Sequence, residues 1–296
     1  MIRRALALAF AGIGFAIASG AQAGTPYEME VTCPVGGETF SHTATGSYST
    51  MGSRPDGKPY GSWTFPIPMP ECPDNGLVLY RDFEEAEVPA LTALVLSDEY
   101  RALSAETSYY RAQWLYDRLD DGAGTPPYLL MRAGWQADRD TSRKARYQRE
   151  FAERAEGFAV EDDTFETLAL RYRVANAWRE LGEFDRALAA LDSIPPDALD
   201  VAVPARSEAG DEAVQDAESR RYLLEQIGPM RALILARNTQ SEPLTLIPED
   251  IAIYRCATLI EENAMAPDPF CTAPERAAEL AEAREQRRAR QEYAAD

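Results

Sequence analysis

The amino-acid sequence predicts a mainly α protein: irregular helical hairpins carrying a small β-rich, disulfide-stapled cap on the N-terminal side. Three observations lead there. From Val88 onward apolar residues recur at helical spacing and glycine becomes sparse. Residues 24–87 are instead rich in Ser, Thr, Gly, Pro and aromatics, the composition of short strands joined by turns. The four cysteines, Cys33, Cys72, Cys256 and Cys271, make an even count, which in an exported chain points to disulfides.

Export is expected from residues 1–23. Arg3 and Arg4 open a positively charged start, Ala5 to Ala18 form an uncharged apolar stretch, and Ala21-Gln22-Ala23 is a small-residue cleavage motif. This is the layout of a secretory signal peptide cut between Ala23 and Gly24. The apolar stretch is short for a membrane span, which needs about 20 residues, and no integral membrane segment is expected after cleavage. Removing the leader takes away two arginines and no acid, leaving 28 cations against 49 acids, a net charge of −21. A chain so acidic is repelled by phosphate backbones and anionic lipid, so nucleic-acid and membrane partners are disfavoured.

In the cap, "SHTATGSYST" and "GSWTFPIPMP" read as strands with "RPDGKPYG" as the turn signal, and "LVLYRDF" as a further strand. Four cysteines allow three pairings, and the two local ones, Cys33–Cys72 and Cys256–Cys271, are favoured. The cap begins with "CPVGGETF" and ends with "CPDNG", each like a zinc knuckle with one cysteine missing. Through Cys33, Pro34, Val35, Gly37 and Phe40, then Cys72, Pro73 and Gly76, this segment resembles an uncharacterised bacterial family. In that family a CPxCGxxF … CPxCG zinc-ribbon-like segment precedes a tetratricopeptide-like helical region. The departures are Gly36 and Asn75, where zinc-binding thiolates would sit. Two knuckles that converge on a metal hold their sulfurs close, so the resemblance implies that Cys33 and Cys72 close as a disulfide in place of the ion. On chain entropy the 40-residue loop from Cys33 to Cys72 is worth roughly 4 kcal/mol, and the 16-residue loop from Cys256 to Cys271 about 3 kcal/mol. A retained metal would have to use Cys33, Cys72, His42 and Asp74, a set the spacing does not favour; no metal or cofactor is expected.

The helical region spans 88–273. "SDEYRALSAETSYYRAQWLYDRL" reads as one long helix capped by Ser97, with Tyr109, Ala112, Leu115, Tyr116 and Leu119 on its apolar face. "TPPYLLMRAGWQADRD" opens with Thr125 as cap and Pro126 at the first helical position. "TSRKARYQREFAERAEGF" follows, with Ala145, Gln148, Ala152 and Ala155 on one face. The clearest hairpin is Leu168 to Pro196: Val174, Trp178 and Leu181 on the first helix, Gly182 at the turn, then Phe184, Ala187, Leu188, Leu191 and Ile194 on the returning face. At Ala175, Trp178, Gly182, Phe184 and Ala187 it resembles a tetratricopeptide repeat. Ala145 and Ala187 stand 42 residues apart, more than the ~34-residue period, so the repeats are irregular. A later helix is expected to break at Gly228-Pro229, and another to start at Pro248 with Ile251, Tyr254 and Leu259 buried. The tail at 274–296 carries only Leu280 and Tyr293 as large apolar residues and reads as an exposed, charged helix.

No catalytic constellation emerges. His42 is the sole histidine, no Gly-rich phosphate loop occurs, and the carboxylate clusters at Glu84-Glu85-Glu87 and Glu161-Asp162-Asp163 sit at expected helix starts, where negative charge suits the backbone dipole. Stacked tetratricopeptide-like hairpins form a concave surface lined by the first helix of each pair. The resemblance therefore implies peptide binding by Arg173 and Asn176, with Arg132, Gln136 and Arg139 lining the preceding unit. The expected function is an exported protein- or peptide-binding scaffold of the cell envelope. The alternatives are a carboxylate-dependent envelope hydrolase and a metal-binding envelope protein.

Overall fold

The computed structural model of the chain describes residues 24–119, 126–158, 163–261 and 268–295. The leader at 1–23, the expected cap Thr125, Glu161 and Asp162, residues 264–267 of the last loop and the Tyr293 side chain lie outside the described residues. The described part is mainly helical, with two small antiparallel hairpins at its N-terminal side.

Strand β1 (Thr25–Thr32) pairs with β2 (Thr39–Ser47), and β3 (Thr50–Ser53) with β4 (Pro59–Gly61). The expected strand "SHTATGSYST" is divided between β2 and β3. β1 went unread in the sequence, although Tyr27, Met29 and Val31 alternate with Glu28 and Glu30 at strand period. Two expected strands do not form. "GSWTFPIPMP" contributes only Gly61, because Pro66, Pro68 and Pro70 lack the N–H a ladder requires. "LVLYRDF" makes a single bridge, Val78 to Glu71.

A short 3-10 turn at Glu85–Glu87 leads into α1 (Val88–Val95) and α2 (Asp98–Arg101). Ser97 caps α2 as expected, its hydroxyl accepting from the Tyr100 N–H at 3.2 Å. The long helix expected here is two: α2 ends in tight turns, and α3 (Ser108–Leu119) starts afresh. The break is held by side chains from elsewhere, since Thr107 N–H donates to the Tyr147 hydroxyl at 3.3 Å and Tyr109 N–H to Gln136 Oε1 at 3.0 Å.

Helices α4 (Tyr128–Gln136), α5 (Thr141–Glu156), α6 (Phe165–Glu180) and α7 (Phe184–Asp192) then stack in sequence, each against the next. Helix α4 starts at Tyr128 with Pro127 at the capping position, later than expected. The core face of α5 is Tyr147, Phe151, Ala152 and Ala155, with Ala145 and Gln148 at its edge. Ala175 of α6 and Ala187 of α7 are fully buried at the hairpin contact. Gly182, at φ 78°, ends α6: its N–H bonds the Arg179 carbonyl and the Glu183 N–H bonds the Trp178 carbonyl.

Helix α8 (Pro196–Leu199) leads to α9 (Arg206–Leu235), which crosses α6, α7 and α8. Contrary to expectation, α9 runs through Pro229, and its backbone leaves the helical region at Gly210 instead. Leu223 before Pro229, and Met230 and Ile234 after it, are buried in one core, and that burial outweighs one lost hydrogen bond. α10 (Glu249–Glu261), α11 (Pro269–Thr272) and α12 (Ala277–Ala295) complete the chain. Tyr254 is exposed and Ile251 and Leu259 half-buried, because α10 turns Ala252, Cys256 and Ala257 inward. The tail helix α12 is largely exposed, yet it lies along α10, with Arg287 bonded to Glu261 at 2.9 Å and Thr258 at 2.8 Å.

Both cysteine pairs are closed as Cys33–Cys72 and Cys256–Cys271, with Cα separations of 5.9 and 5.4 Å. The main core gathers Leu130, Phe151, Leu168, Trp178 and Met230. A second core packs Cys33, Cys72 and Leu77 against Leu91, Val95 and Leu115, so the stapled knuckles rest directly on α1 and α3. No helix among the described residues is long and apolar enough to cross a membrane.

Candidate binding cleft

The cap and the helical stack enclose a cleft of about 550 Å³, within the size range of small-molecule sites. Its helical walls are two stripes. On α4, Tyr128, Met131, Arg132 and Trp135 recur at i, i+3, i+4 and i+7, which places them on one face. On α6, Phe165, Ala169 and Arg173 follow one another at i, i+4 and i+8, with Glu166 beside Phe165 at the edge of that stripe. The cap supplies Tyr48, Phe65 and Ile67, with Tyr48 and Phe65 edge to face at 5.3 Å. Tyr109 of α3 fastens this wall by donating its hydroxyl to the Ile67 carbonyl at 2.8 Å.

The β3–β4 turn closes one end. Its Gly57 has φ 84°, and a Cβ there would stand 3.1 Å from Arg173 Nε and 3.7 Å from Trp135 Cζ2. Only a residue without a side chain lets the turn lie on that arginine. Arg173 is half-buried, with its guanidinium 5.8 Å from the Tyr128 ring centroid; Arg132 is exposed at the mouth. Among the described residues neither arginine has a carboxylate ion-pair partner. Burial holds the Arg173 guanidinium below its usual value, Arg132 adds to that, and Tyr128, Asp56 and Glu166 oppose it. The Trp135 indole N–H is buried without a hydrogen-bond partner among the described residues.

Beneath the cleft runs a polar network that joins cap to helices. Asp138, just past α4, binds Arg54 Nη1 at 2.9 Å and Lys58 Nζ at 2.6 Å from the cap, and Lys144 of α5 at 3.1 Å. Lys144 also reaches Glu180 of α6 at 3.2 Å. Glu180 accepts from Asn176, Gln148 and Ser241 at 2.9, 2.8 and 2.7 Å. Arg54 is also paired with Asp56 in its own turn.

These contacts locate the residues singled out in the sequence. Arg132 and Arg173 come together in the cleft. Asn176 is 0 % exposed and belongs to the network, bridging Glu180 and Arg179. Gln136 serves the start of α3, accepting from Tyr109 N–H and donating to the Ser108 hydroxyl at 2.8 Å. Arg139 is exposed beyond the end of α4, outside the cleft lining. The sequence reading missed Trp135 and the aromatic cap wall. The α4 stripe was readable from its spacing, whereas nothing local in Tyr48 or Phe65 points to helices that start 63 to 117 residues away.

The turns at Cys33 and Cys72 have the same shape. In each, the first cysteine N–H bonds the carbonyl five residues on, Cys33 to Glu38 and Cys72 to Leu77, both at 2.9 Å. Gly36 and Asn75, the positions where the resemblance expected cysteines, are both engaged locally. Asn75 donates to the Val35 carbonyl at 2.8 Å and accepts from Leu77 N–H at 2.9 Å, tying one knuckle to the other. A Cβ on Gly36 would meet Glu38 Oε2 at 2.7 Å, so this carboxylate occupies the space of the missing side chain. Cys33, Cys72 and Glu38 lie within 4.8 Å of one another, but the disulfide engages both sulfurs and removes the thiolates a zinc site uses. His42 stands in β2 opposite Met29 and is not part of this group.

No family model, no curated protein and no solved structure matches this chain.

Proposed function

We propose that this chain is an exported, extracytoplasmic binding scaffold that holds a protein or peptide segment between its cap and a tetratricopeptide-like helical body. The observation that carries the reading is the pair Arg132 and Arg173, on facing helical stripes of one aromatic cleft without carboxylate partners among the described residues. Two cations that share one aromatic cleft without carboxylate ion pairs favour an anionic ligand. Both closed disulfides fit an oxidising compartment. The sequential stacking of α3 to α7 supports the repeat-like description of the body. Hydrolysis by a carboxylate pair gains less support, because the described cleft lining holds one carboxylate, Glu166.

Panning a random peptide library on the immobilised protein tests the reading. Enriched peptides should compete with one another and lose binding to Arg132→Glu, whose exposed side chain can be changed without disturbing the core. Equal retention by the wild-type protein and the variant would remove the cleft as the binding face.

A further inference from the structure

The cleft lining combines two arginines with a single acid, Glu166, while Asp56, whose charge also reaches Arg173, is already paired with Arg54; the lining therefore holds one excess positive charge. That balance suits a monoanion and disfavours a phosphate dianion, which Glu166 would repel. Arg173 is stripped of much of its water without gaining an ion pair among the described residues, and a ligand oxygen would restore what it has lost. A guanidinium takes a carboxylate through two parallel hydrogen bonds. Next to it Trp135 is 8 % exposed, lines the cleft and has an indole N–H without an acceptor among the described residues. A second ligand oxygen, or a carbonyl beside the carboxylate, would satisfy it. The rest of the lining is flat and apolar: Tyr48, Phe65, Met131 and Phe165.

From this we infer that the cleft selects a single carboxylate attached close to an aromatic ring, held by Arg132 and Arg173 with the Trp135 N–H as a further donor. The inference rests on the binding reading above and narrows it to a ligand class. The same chemistry occurs in a small aromatic acid and at a peptide chain end with an aromatic last residue.

Calorimetry on the full chain with four probes separates these: 3-phenylpropionate, acetyl-Ala-Phe, acetyl-Ala-Phe amide and phenyl phosphate. At least one of the two acids should bind, roughly tenfold or more tighter than the amide, since a charge-assisted pair is lost with the carboxylate. Binding of phenylpropionate as tight as that of the dipeptide identifies a small acid as sufficient; binding of the dipeptide alone identifies the chain end. Arg132→Gln should abolish the preference for acid over amide while leaving the thermal unfolding midpoint unchanged. Arg173→Lys, which keeps the charge and loses the paired donors, should weaken the acid several-fold. Equal affinity for acid and amide, tighter binding of phenyl phosphate, or no binding by any probe overturns the inference. The library experiment stands apart from all three outcomes: peptides that need Arg132 but show no carboxylate preference would keep the scaffold reading and discard this one.

Discussion

Glu180 shows how much a single side chain carries here. Its carboxylate is almost fully enclosed, and burial alone would push its proton affinity up. Lys144, hydrogen bonds from Ser241 and Gln148, and Arg179 together hold it below its usual value instead. Removing it leaves Arg179 without a carboxylate partner among the described residues and Lys144 with Asp138 alone, two cations with little access to water. Glu180→Ala should therefore cost roughly 3–5 kcal/mol in urea unfolding, with Glu180→Gln losing less because it keeps part of the hydrogen bonding. A loss under about 1 kcal/mol for Glu180→Ala would mean the cations find other partners. The neighbouring Asn176 explains why the sequence misplaced part of the site. Helical spacing puts Asn176 and Arg173 on one side of α6, away from Trp178, the side expected to hold a peptide. But α6 is covered by α5, α7, α9 and the cap turn, so nearly every face of it is buried. Periodicity reports which residues share a face; it does not report how many faces a central helix buries.

At the scale of elements, the α6–α7 hairpin was the most legible part, because its signals are local. Gly182 marks the turn, Ala175 and Ala187 permit close approach, and Pro195-Pro196 ends α7. The space around a Gly182 Cβ is open, so a substitution there meets no neighbour and acts only through backbone conformation. Gly182→Ala should lower stability by roughly 1 kcal/mol, the cost of the left-handed conformation for an L-residue. Asn at the same place should cost less, since it tolerates that conformation better. No change with alanine would show that the turn can be rebuilt without a positive φ. The elements that were misread share a different trait: their fate is decided at a distance. The α2–α3 break depends on Tyr147 and Gln136, which lie 27 to 40 residues further along. The continuity of α9 through Pro229 depends on a core that its own sequence does not reveal.

For the whole molecule, the decisive joint is the seam between cap and helical stack, and its chemistry sets a pH limit. Arg54 and Lys58 reach from the cap to Asp138, and Lys144 carries the link on to Glu180, so four separate segments meet through two carboxylates. Burial pushes the Asp138 carboxyl up. Hydrogen bonding and charge from Arg54, then Lys58 and Lys144, overcome this and hold it well below the usual carboxylate range. Both carboxyls are thus more acidic folded than unfolded, and the unfolded chain binds more protons in acid. The stability they contribute is fully present above the ordinary carboxyl values near 4, and it is lost progressively as pH falls below them toward the folded values. The urea midpoint should accordingly change little between about pH 7 and pH 5 and drop steeply by about pH 3. Asp138→Asn removes one of the two groups, so it should be less stable at neutral pH and lose less between pH 5 and 3 than the wild type. Because the same seam positions Gly57 against Arg173 and Trp135, acid should also weaken any ligand of the cleft before the helical core unfolds. Parallel pH curves for the wild type and Asp138→Asn would show that the seam is not where acid acts, and that the cap is held chiefly by its apolar contact with α1 and α3.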